Sequence, residues 1–479
     1  MNNQIPVTQI DPENEPPTPG HGAAKAQPVE LYASREKIYV RNVEGFYQHI
    51  RRYSLWGLMG MYFLFCWITI NGEPLLYFNL PAREFHLFGG VFYPQEFILL
   101  TGFLIIAAFG LFFITTLFGR VWCGYTCPQT VWTFVFMWIE ERVEGSRNQR
   151  MKLDKAPPSA AKIGKKSLKH ALWLLVGLAT GITFVGYFYP IRDLLVDLAT
   201  LEAGGWAYFW VFFFTLATYG NAGWMREQVC LYMCPYARFQ SVMFDRNTMM
   251  VTYDPARGEP RGSRKKQSDP RELGLGDCID CDMCVQVCPT GIDIRDGLQY
   301  ECISCALCID ACDDVMKKMN YPTGLIRYAT ENELEGRPSK FLRFRTVGYG
   351  AALLLMIAAV AFTIVNRSPI DVEVSRDRGG LYRMTGQGLV ENSYTVKLMN
   401  KSLEERTFEL TVGGLEGAEL VTNGRVTVAP GENRAVPTVV TAPPESLDES
   451  RENIVFTISS DGDDPVRVES NSSFIGPVN

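Results

Sequence analysis

Two cysteine runs of the same spacing lie in the middle of the chain. The first is CIDCDMCVQVCP, residues 278–289, and the second is CISCALCIDAC, residues 302–312. Both read C-x2-C-x2-C-x3-C, the spacing with which thiolates hold two [4Fe–4S] clusters in bacterial ferredoxins, where the fourth cysteine of each run serves the other cluster. The predicted ligands are Cys278, Cys281, Cys284 and Cys312 for one cluster, and Cys288, Cys302, Cys305 and Cys308 for the other.

Two zinc sites are the alternative use of these cysteines, and two complete runs of ferredoxin spacing argue against it. One departure exists, because Cys312 is followed by Asp313 and not by proline. Neighbouring clusters commonly pass single electrons. There is no G-x-G-x-x-G segment that opens a helix after a strand, and the four histidines do not pair at helical spacing, so a nucleotide site and a bis-histidine haem are poorly supported.

A second pair of cysteine elements reads C-x-x-x-C-P, in VWCGYTCPQT (residues 121–130) and VCLYMCPYAR (residues 229–238). If each is helical, residues i and i+4 place both sulfurs on one face. The four thiols, at Cys123, Cys127, Cys230 and Cys234, are soft donors of the kind that Cu(I) prefers, and we predict them as catalytic and copper-binding residues. Cycling between dithiol and disulfide, and simple packing, stay open as alternatives.

One other cysteine and two histidines are predicted to have structural roles and not to bind a metal. Cys66 stands alone in an apolar stretch, and a lone cysteine of this kind usually packs as a small hydrophobic residue. His86 lies in a predicted outer loop and His170 just before an apolar segment, so both are interpreted as interface residues.

Five segments are apolar enough to position these elements in a membrane, each approaching the ~20 residues that a spanning helix needs. They are roughly Tyr53–Ile70, Phe97–Phe118, Ala171–Tyr189, Trp206–Trp224 and Val347–Val365. Each C-x-x-x-C-P element follows the second or the fourth of them. The sequence therefore predicts a five-helix α-helical bundle with the cysteine elements at one membrane edge.

Lysine and arginine counts orient this bundle. Residues 35–53 carry five, residues 141–170 nine and residues 337–345 four, whereas residues 71–96 and 190–205 carry one each. The positive-inside rule puts the first three groups in the cytoplasm, with the N-terminus inside and the C-terminus outside. The apolar segment Thr130–Ile139 is interpreted as a helix that lies at the cytoplasmic interface or enters and returns.

The C-terminal part changes to a period of two. Short alternating stretches such as YTVKLMN (394–400), TFELTV (407–412) and NIVFTISS (453–460) are separated by Gly, Pro and Asn, which predicts a β-sandwich of about a hundred residues. The net charge of −6 gives no indication of nucleic-acid binding. The predicted parts are a disordered N-terminus (1–34), a membrane domain with four spans (35–246), a dicluster ferredoxin domain (247–340), a fifth transmembrane helix (341–366) and the sandwich (367–479).

The order of these parts resembles the cytochrome c oxidase accessory proteins called CcoG, FixG or RdxA. The stretches LYASREKIYVR, YDPARGEPRG and CDDVMKKMNYPTGLIRY strengthen the likeness. The resemblance implies a multi-pass protein of the bacterial inner membrane with a cytoplasmic ferredoxin domain and a periplasmic immunoglobulin-like sandwich. It also implies reduction of Cu(II) to Cu(I) during assembly of a cbb-type oxidase, with copper-delivery proteins and oxidase subunits as partners.

Three hypotheses about function follow. The first is a copper-reducing assembly factor with two [4Fe–4S] clusters, and the second is a quinol-linked electron-transfer subunit similar to membrane ferredoxins of the NapH and NosR type. The third is an assembly scaffold with structural clusters. The additional C-terminal sandwich favours the first. The electron donor, the source and destination of copper and the existence of a homodimer stay open at this stage.

Overall fold

A computed structural model describes residues 37–477 apart from 71–72, 267, 271, 378–379, 403, 423 and 461–465. The predicted disordered segment 1–34 lies outside the described residues. The first half of the chain is mainly helical. Its helices are α1 (Phe46–Leu64), α2 (Phe97–Phe118), α3 (Val121–Tyr125), α4 (Pro128–Glu144), α5 (Arg147–Lys155), α6 (Ala160–Gly186), α7 (Ile191–Thr200), α8 (Gly205–Thr218) and α9 (Pro235–Met243). Two π-helical turns, Tyr219–Met225 and Val229–Met233, join α8 to α9.

Short strands fill the connection between α1 and α2. They are β1 (Thr69–Ile70), β2 (Glu73–Pro74), β3 (Leu76–Asn79), β4 (Glu84–Leu87) and β5 (Gly90–Phe92). β1 pairs with β2, and β3, β4 and β5 form an antiparallel three-stranded sheet.

Three of the described helices are long and apolar enough to cross a membrane: α2, α6 and α14 (Phe344–Val365). They correspond to the second, third and fifth predicted spans. The first predicted span does not run to Ile70 as a helix, because α1 ends at Leu64 and β1 begins at Thr69. The fourth keeps α-helical geometry only to Thr218 and continues as a π-helical turn. The count of five spans therefore stays a prediction.

Small residues let the long helices approach closely. A β-carbon placed at Gly181 of α6 would lie 2.5 Å from the carbonyl oxygen of Val211 in α8, and one at Gly102 of α2 would lie 2.6 Å from Val360 in α14. Helices in membranes associate through such close backbone contact, since lipid tails are as apolar as the side chains. The segment Thr130–Ile139 forms part of α4, which packs against α6 and the first π-helical turn.

The cysteine-rich region is compact and mostly irregular. Its regular elements are β6 (Met250–Tyr253), α10 (Pro255–Gly258), α11 (Met283–Gln286), α12 (Leu307–Met319), β7 (Ile326–Ala329) and α13 (Glu331–Leu334). β6 and β7 pair antiparallel beneath the two cysteine runs. The start of α1 is attached to this region, because the carboxylate of Asp310 in α12 accepts hydrogen bonds from the backbone N–H groups of Tyr47 (3.2 Å) and Gln48 (2.8 Å). Exposed helix N–H groups are commonly satisfied by such a carboxylate.

The predicted β-sandwich is confirmed. Its strands are β8 (Ile370–Arg376), β9 (Arg383–Met384), β10 (Val390–Asn400), β11 (Arg406–Gly413), β12 (Glu419–Leu420), β13 (Arg425–Val428), β14 (Asn433–Ala442), β15 (Arg451–Ser460) and β16 (Val466–Ile475). One sheet has the order β12-β14-β10-β8, with β9 beside β10, and the other has the order β13-β11-β15-β16. Tyr394, Phe408 and Phe456 are buried between the sheets, as alternation along the strands predicts.

Candidate functional site

The two cysteine runs surround two separate cavities. One is lined by Cys278, Cys281, Cys284 and Cys312, and the other by Cys288, Cys302, Cys305 and Cys308, with Cys284 also at its edge. This is the grouping that the spacing predicts, with the last cysteine of each run contributing to the other run's cavity. No disulfide joins the described cysteines.

The two cysteine loops share one backbone conformation. Asp280 and Asp282 of the first run have φ values of 53° and 56°, and their counterparts Ser304 and Ala306 of the second have 51° and 61°. Residues other than glycine seldom adopt this left-handed region, and such positions cluster at ligand-binding sites. The repeated strain indicates that both loops are shaped to direct three sulfurs inward.

The donors and cavities fit [4Fe–4S] clusters. Each cavity is lined by four cysteines of the predicted set, and four thiolates around an enclosed space are the donor set that such a cluster uses. Among the described residues, no group of three or more His, Cys, Asp or Glu side chains is arranged to hold a single ion. Burial raises the pKa of the Cys284, Cys302 and Cys312 thiols to about 12, so the thiolates need the positive charge of bound iron.

Arg295 holds the first cysteine loop together. Its guanidinium donates to Asp280 (2.7 Å), Asp282 (2.7 Å) and Asp293 (2.6 Å). Hydrogen bonds from Arg295 lower the pKa of the Asp293 carboxyl below its usual range. Because this pKa is lowered in the folded protein, the stabilisation is present above the ordinary aspartate value of about 4 and is lost as the pH falls through the folded value.

Replacing Arg295 by glutamine is expected to labilise the first cluster, since three neighbouring carboxylates would lose their shared cation. Iron should fall from about eight towards about four per chain after anaerobic gel filtration. Iron and acid-labile sulfide analysis measures this loss. Arg261→Gln is the matched control, because the Arg261 guanidinium lies 3.8 Å from the Glu259 carboxylate and 3.7 Å from the Asp296 carboxylate, beyond hydrogen-bond distance. Equal iron retention in both variants would contradict the prediction.

The two C-x-x-x-C-P elements have similar geometry, and neither forms one continuous helix. Cys123 lies in α3 and Cys230 in the second π-helical turn, whereas Cys127 and Cys234 precede the first residues of α4 and α9. The condition that each pair lies in one helix is therefore not met, and the two sulfurs of a pair do not share a helix face. The physical reason is the proline: Pro128 and Pro235 each begin a new helix, and the residue before proline avoids helical backbone.

Each element is closed by the same wide backbone turn. The N–H of Cys127 donates to the carbonyl of Trp122 at 2.9 Å, and that of Cys234 donates to Val229 at 2.8 Å. Both bonds span five residues, which is the π-helical pattern that is frequent at functional sites. The internal repeat seen in the sequence is thus also a repeat of structure.

The fold brings the four thiols of the two elements close to one another. Cys123 lies within electrostatic range of Cys127 and Cys234, and Cys230 lies within range of the other three. The arrangement among the described residues is not a formed single-ion centre. The four cysteines are therefore grouped as predicted, but a metal that binds them must draw the thiols together.

Two polar residues that the sequence analysis missed support Cys123. The Cys123 thiol donates to Oε1 of Gln240 at 3.3 Å, and Nε of Arg120 donates to the same oxygen at 3.0 Å. Arg120 also donates to the backbone carbonyl of Tyr300, just before the second cysteine run. These three side chains are buried. The available sequence signal was an arginine three residues before Cys123 and a glutamine six residues after Cys234.

The first C-x-x-x-C-P element packs directly against the second cysteine run. A β-carbon at Gly124 would lie 2.7 Å from the carbonyl oxygen of Ile303 and 3.0 Å from Cα of Cys305. Cys123 shares a buried apolar cluster with Cys305. The Tyr125 hydroxyl donates to the carbonyl of Cys305 at 3.3 Å. Only glycine permits this approach, so the first C-x-x-x-C-P element and the second cysteine run form one continuous region.

The other singled-out residues have structural surroundings. Cys66 is buried, and His170 Nδ1 lies 3.0 Å from the hydroxyl of Tyr219. His86 lies in β4, where its ring contacts that of Tyr77. These contacts agree with their interpretation as packing and interface residues.

Comparison with known proteins places these features in a family. The family description "4Fe-4S dicluster domain" matches residues 225–331, "4Fe-4S binding domain" matches residues 100–140, and "IG-like fold at C-terminal of FixG" matches residues 360–477. The nitrogen fixation protein FixG of Rhizobium meliloti is 37% identical over 443 residues, which are 85% of this chain and 84% of that protein. The chain belongs to the FixG/RdxA family.

Two further relatives from one organism agree with this membership. Protein RdxB of Cereibacter sphaeroides is 42% identical over 400 residues, covering 81% of this chain and 84% of that protein, and protein RdxA of the same organism is 39% identical over 401 residues. A crystal structure of a FixG-related protein from Vibrio parahaemolyticus is 32% identical, covers 23% of this chain and 97% of that chain, and has a TM-score of 0.21.

Membership confirms several predictions. This FixG/RdxA family member is a membrane iron–sulfur redox protein with 4Fe-4S binding domains and an immunoglobulin-like C-terminal region. The matched segment 100–140 contains the first C-x-x-x-C-P element, and the segment 225–331 contains the second element and both cysteine runs. All twelve clustered cysteines therefore lie in segments that match iron–sulfur families.

Proposed function

We propose that this FixG/RdxA family member reduces Cu(II) to Cu(I) at its C-x-x-x-C-P thiols, with electrons from its iron–sulfur domain. In this proposal Cys278, Cys281, Cys284 and Cys312 hold one [4Fe–4S] cluster, and Cys288, Cys302, Cys305 and Cys308 hold the second. Bound there, a cluster supplies one-electron chemistry, because it takes up and releases a single electron. The reduction of each Cu(II) requires one such electron.

The observation that carries the proposal is the contact of Gly124 with Ile303 and Cys305. It leaves no side chain between the backbone of the first C-x-x-x-C-P element and that of the second cysteine run. Cys123, which is buried in the same cluster as Cys305, is thus the thiol best placed to couple copper to the iron–sulfur domain. Gln240 and Arg120 hold its sulfur in place.

The four thiols suit a metal that must arrive and leave. Thiolates are soft donors and favour Cu(I) over Cu(II), so binding through them assists reduction. Because the thiols do not form a ready single-ion centre, we propose that two or three bind copper at once and that it exchanges between the pairs. Four thiolates closed around Cu(I) would retain it.

The direct test is anaerobic reduction of the purified protein, removal of excess dithionite and rapid mixing with Cu(II) and a chromogenic Cu(I) chelator. We expect up to about two Cu(I) per chain, one for each single-electron carrier, with a matching return of the oxidised iron–sulfur absorbance. If the absorbance remains that of the reduced iron–sulfur protein and no Cu(I) is trapped, copper reduction is contradicted.

The cellular setting is part of the same proposal. We place the protein in the bacterial inner membrane with five spans, a cytoplasmic ferredoxin domain and a periplasmic sandwich, because lysine and arginine concentrate on one side. The Cu(I) product would serve the assembly of a cbb-type oxidase through copper-delivery proteins that dock on the membrane or sandwich domain.

Reporter fusions test the topology. A cytoplasmic reporter is expected to be active after Lys165 and a periplasmic one after Asn479, which lies outside the described residues. The reason is the nine lysines and arginines of residues 141–170, which resist translocation. A periplasmic signal after Lys165 would mean that α4 crosses the membrane and that the later topology is reversed.

A further inference from the structure

A cavity of about 600 Å³ lies between α1, α4 and the start of α12. This volume is within the range of ordinary small-molecule sites. Its wall combines aromatic side chains, among them Trp56, Phe134 and Trp138, with polar groups that include Arg51 and Glu141. Trp56 is 57% exposed and Trp138 is 49% exposed, as side chains at a membrane–water interface often are.

Arg51 is the unusual member of this wall. Its side chain is buried, with 3% of the residue exposed, yet Nε, Nη1 and Nη2 have no hydrogen-bond partner among the described residues. Its guanidinium carbon lies 3.1 Å from the centre of the Phe134 ring. The neighbouring Arg52, by contrast, is partly exposed and pairs with Glu44 at 2.9 Å. A buried guanidinium without acceptors is costly, so the cavity is built to receive a ligand with acceptor oxygens.

The cavity also adjoins the second cysteine group. Leu307, which lies between Cys305 and Cys308, lines both this cavity and the cavity of that group. Arg51 is within electrostatic range of Cys288 and Cys305. A ligand here would be separated from the iron–sulfur region by one side chain, which favours a redox-active ligand over a purely structural one.

We propose that this cavity binds a membrane quinol, whose ring oxygen accepts hydrogen bonds from Arg51. A quinol combines a flat apolar ring, which suits the aromatic wall, with an oxygen at each end of the ring, one of which can accept from the Arg51 guanidinium. Oxidation to the quinone releases two electrons and two protons. The electrons pass singly to the iron–sulfur domain and, if the proposed function holds, reduce two Cu(II) to two Cu(I). The protons pass to the half-buried Glu141 carboxylate and to water at the cavity mouth.

The first test measures binding by the intact holoprotein, with no copper present. A photoreactive azido analogue of ubiquinone is expected to label a peptide from α1 or α4, and unlabelled decylubiquinone should compete. Arg51→Gln should lower labelling by about tenfold or more, because hydrogen bonds from a charged donor are lost. Arg345→Gln is the matched control and should label like the parent, because Arg345 is exposed, donates to the carbonyl of Met243 at 3.2 Å and does not line the cavity. Competition by phosphatidylglycerol but not by decylubiquinone would identify an anionic-lipid site and overturn the proposal.

The second test measures electron entry. Decylubiquinol should reduce the iron–sulfur domain anaerobically at the same rate in the parent and in Arg345→Gln. In Arg51→Gln the reduction should be at least about tenfold slower, while dithionite reduces all three proteins equally. Midpoint potentials are measured on the same samples. If Arg51→Gln lowers only the potential and labels normally, Arg51 tunes the second cysteine group and the quinol site is rejected.

A second variant and the separation of the quinol and copper tests make the result conclusive. If the Arg51→Gln protein loses its clusters, Trp138→Ala is tested instead, because Trp138 is exposed and lies on the same cavity wall away from the cysteines. Unchanged labelling of the Trp138→Ala protein would reject the site. The quinol test uses no copper and the copper test uses dithionite. Failure of quinol entry therefore leaves copper reduction standing, and the reverse also holds.

Discussion

Replacing Cys127 and Cys234 together by serine is expected to abolish most Cu(II) reduction while the protein keeps about eight irons. Each substitution exchanges a soft donor for a hard one, which should weaken Cu(I) binding sharply. The rate should fall by at least the roughly 10- to 100-fold that loss of a supporting partner costs at a metal site. Neither residue lines the two cysteine cavities, so iron binding should persist. Stopped-flow mixing of the reduced protein with Cu(II) and a Cu(I) chelator measures the rate.

The control for this experiment is Cys66→Ser, which makes the same exchange at a buried cysteine outside both elements. It should reduce copper at the rate of the parent. If the double variant keeps full iron content and reduces copper as fast as this control, the C-x-x-x-C-P cysteines are packing residues. The quinol-linked function without copper would then take first place.

Replacing Cys281 and Cys305 together by serine should remove nearly all iron and sulfide, which we expect at about eight each per chain in the parent. Each residue lines a different cavity, so one ligand is lost from each cluster. The brown absorbance should disappear while the protein stays in the membrane, because neither residue lies in α2, α6 or α14. Iron, sulfide and protein determination after anaerobic reconstitution measures the effect.

The single variants make this test quantitative. Cys281→Ser and Cys305→Ser should each retain about four irons, since each leaves one set of four cysteines complete. A parent protein that saturates near four irons would contradict the assignment of two clusters. Loss of all iron in one single variant would show that the two cavities do not fill independently.

The cysteine groups could be predicted from the sequence because their geometry is local. A C-x2-C-x2-C stretch is too short to direct its sulfurs apart, and the strained backbone at Asp280 and Ser304 is confined to the same loops. The β-sandwich strands were predictable for a similar reason, since alternation of buried and exposed residues belongs to each strand by itself.

Apolar length alone predicted the membrane helices less well. The stretch after Leu64 is apolar, yet it leaves the helix and pairs as β1 with β2, so hydrophobicity did not mark the helix end. The C-x-x-x-C-P spacing suggested one helix face for each pair, but Pro128 and Pro235 start new helices there. Local backbone chemistry of proline outweighed the helical spacing.

The sequence by itself determined the spacing of the two cysteine runs, the two C-x-x-x-C-P elements and the order of the helical, cysteine-rich and β-sandwich parts. Only the tertiary structure decided that Gly124 meets Cys305 and that Arg120 and Gln240 support Cys123. It also decided that the buried guanidinium of Arg51 has no hydrogen-bond partner in the described part of the chain. Each of these contacts joins residues distant in the chain. They depend on how α1, α3 and α12 pack, and no periodicity or spacing within one segment records that packing.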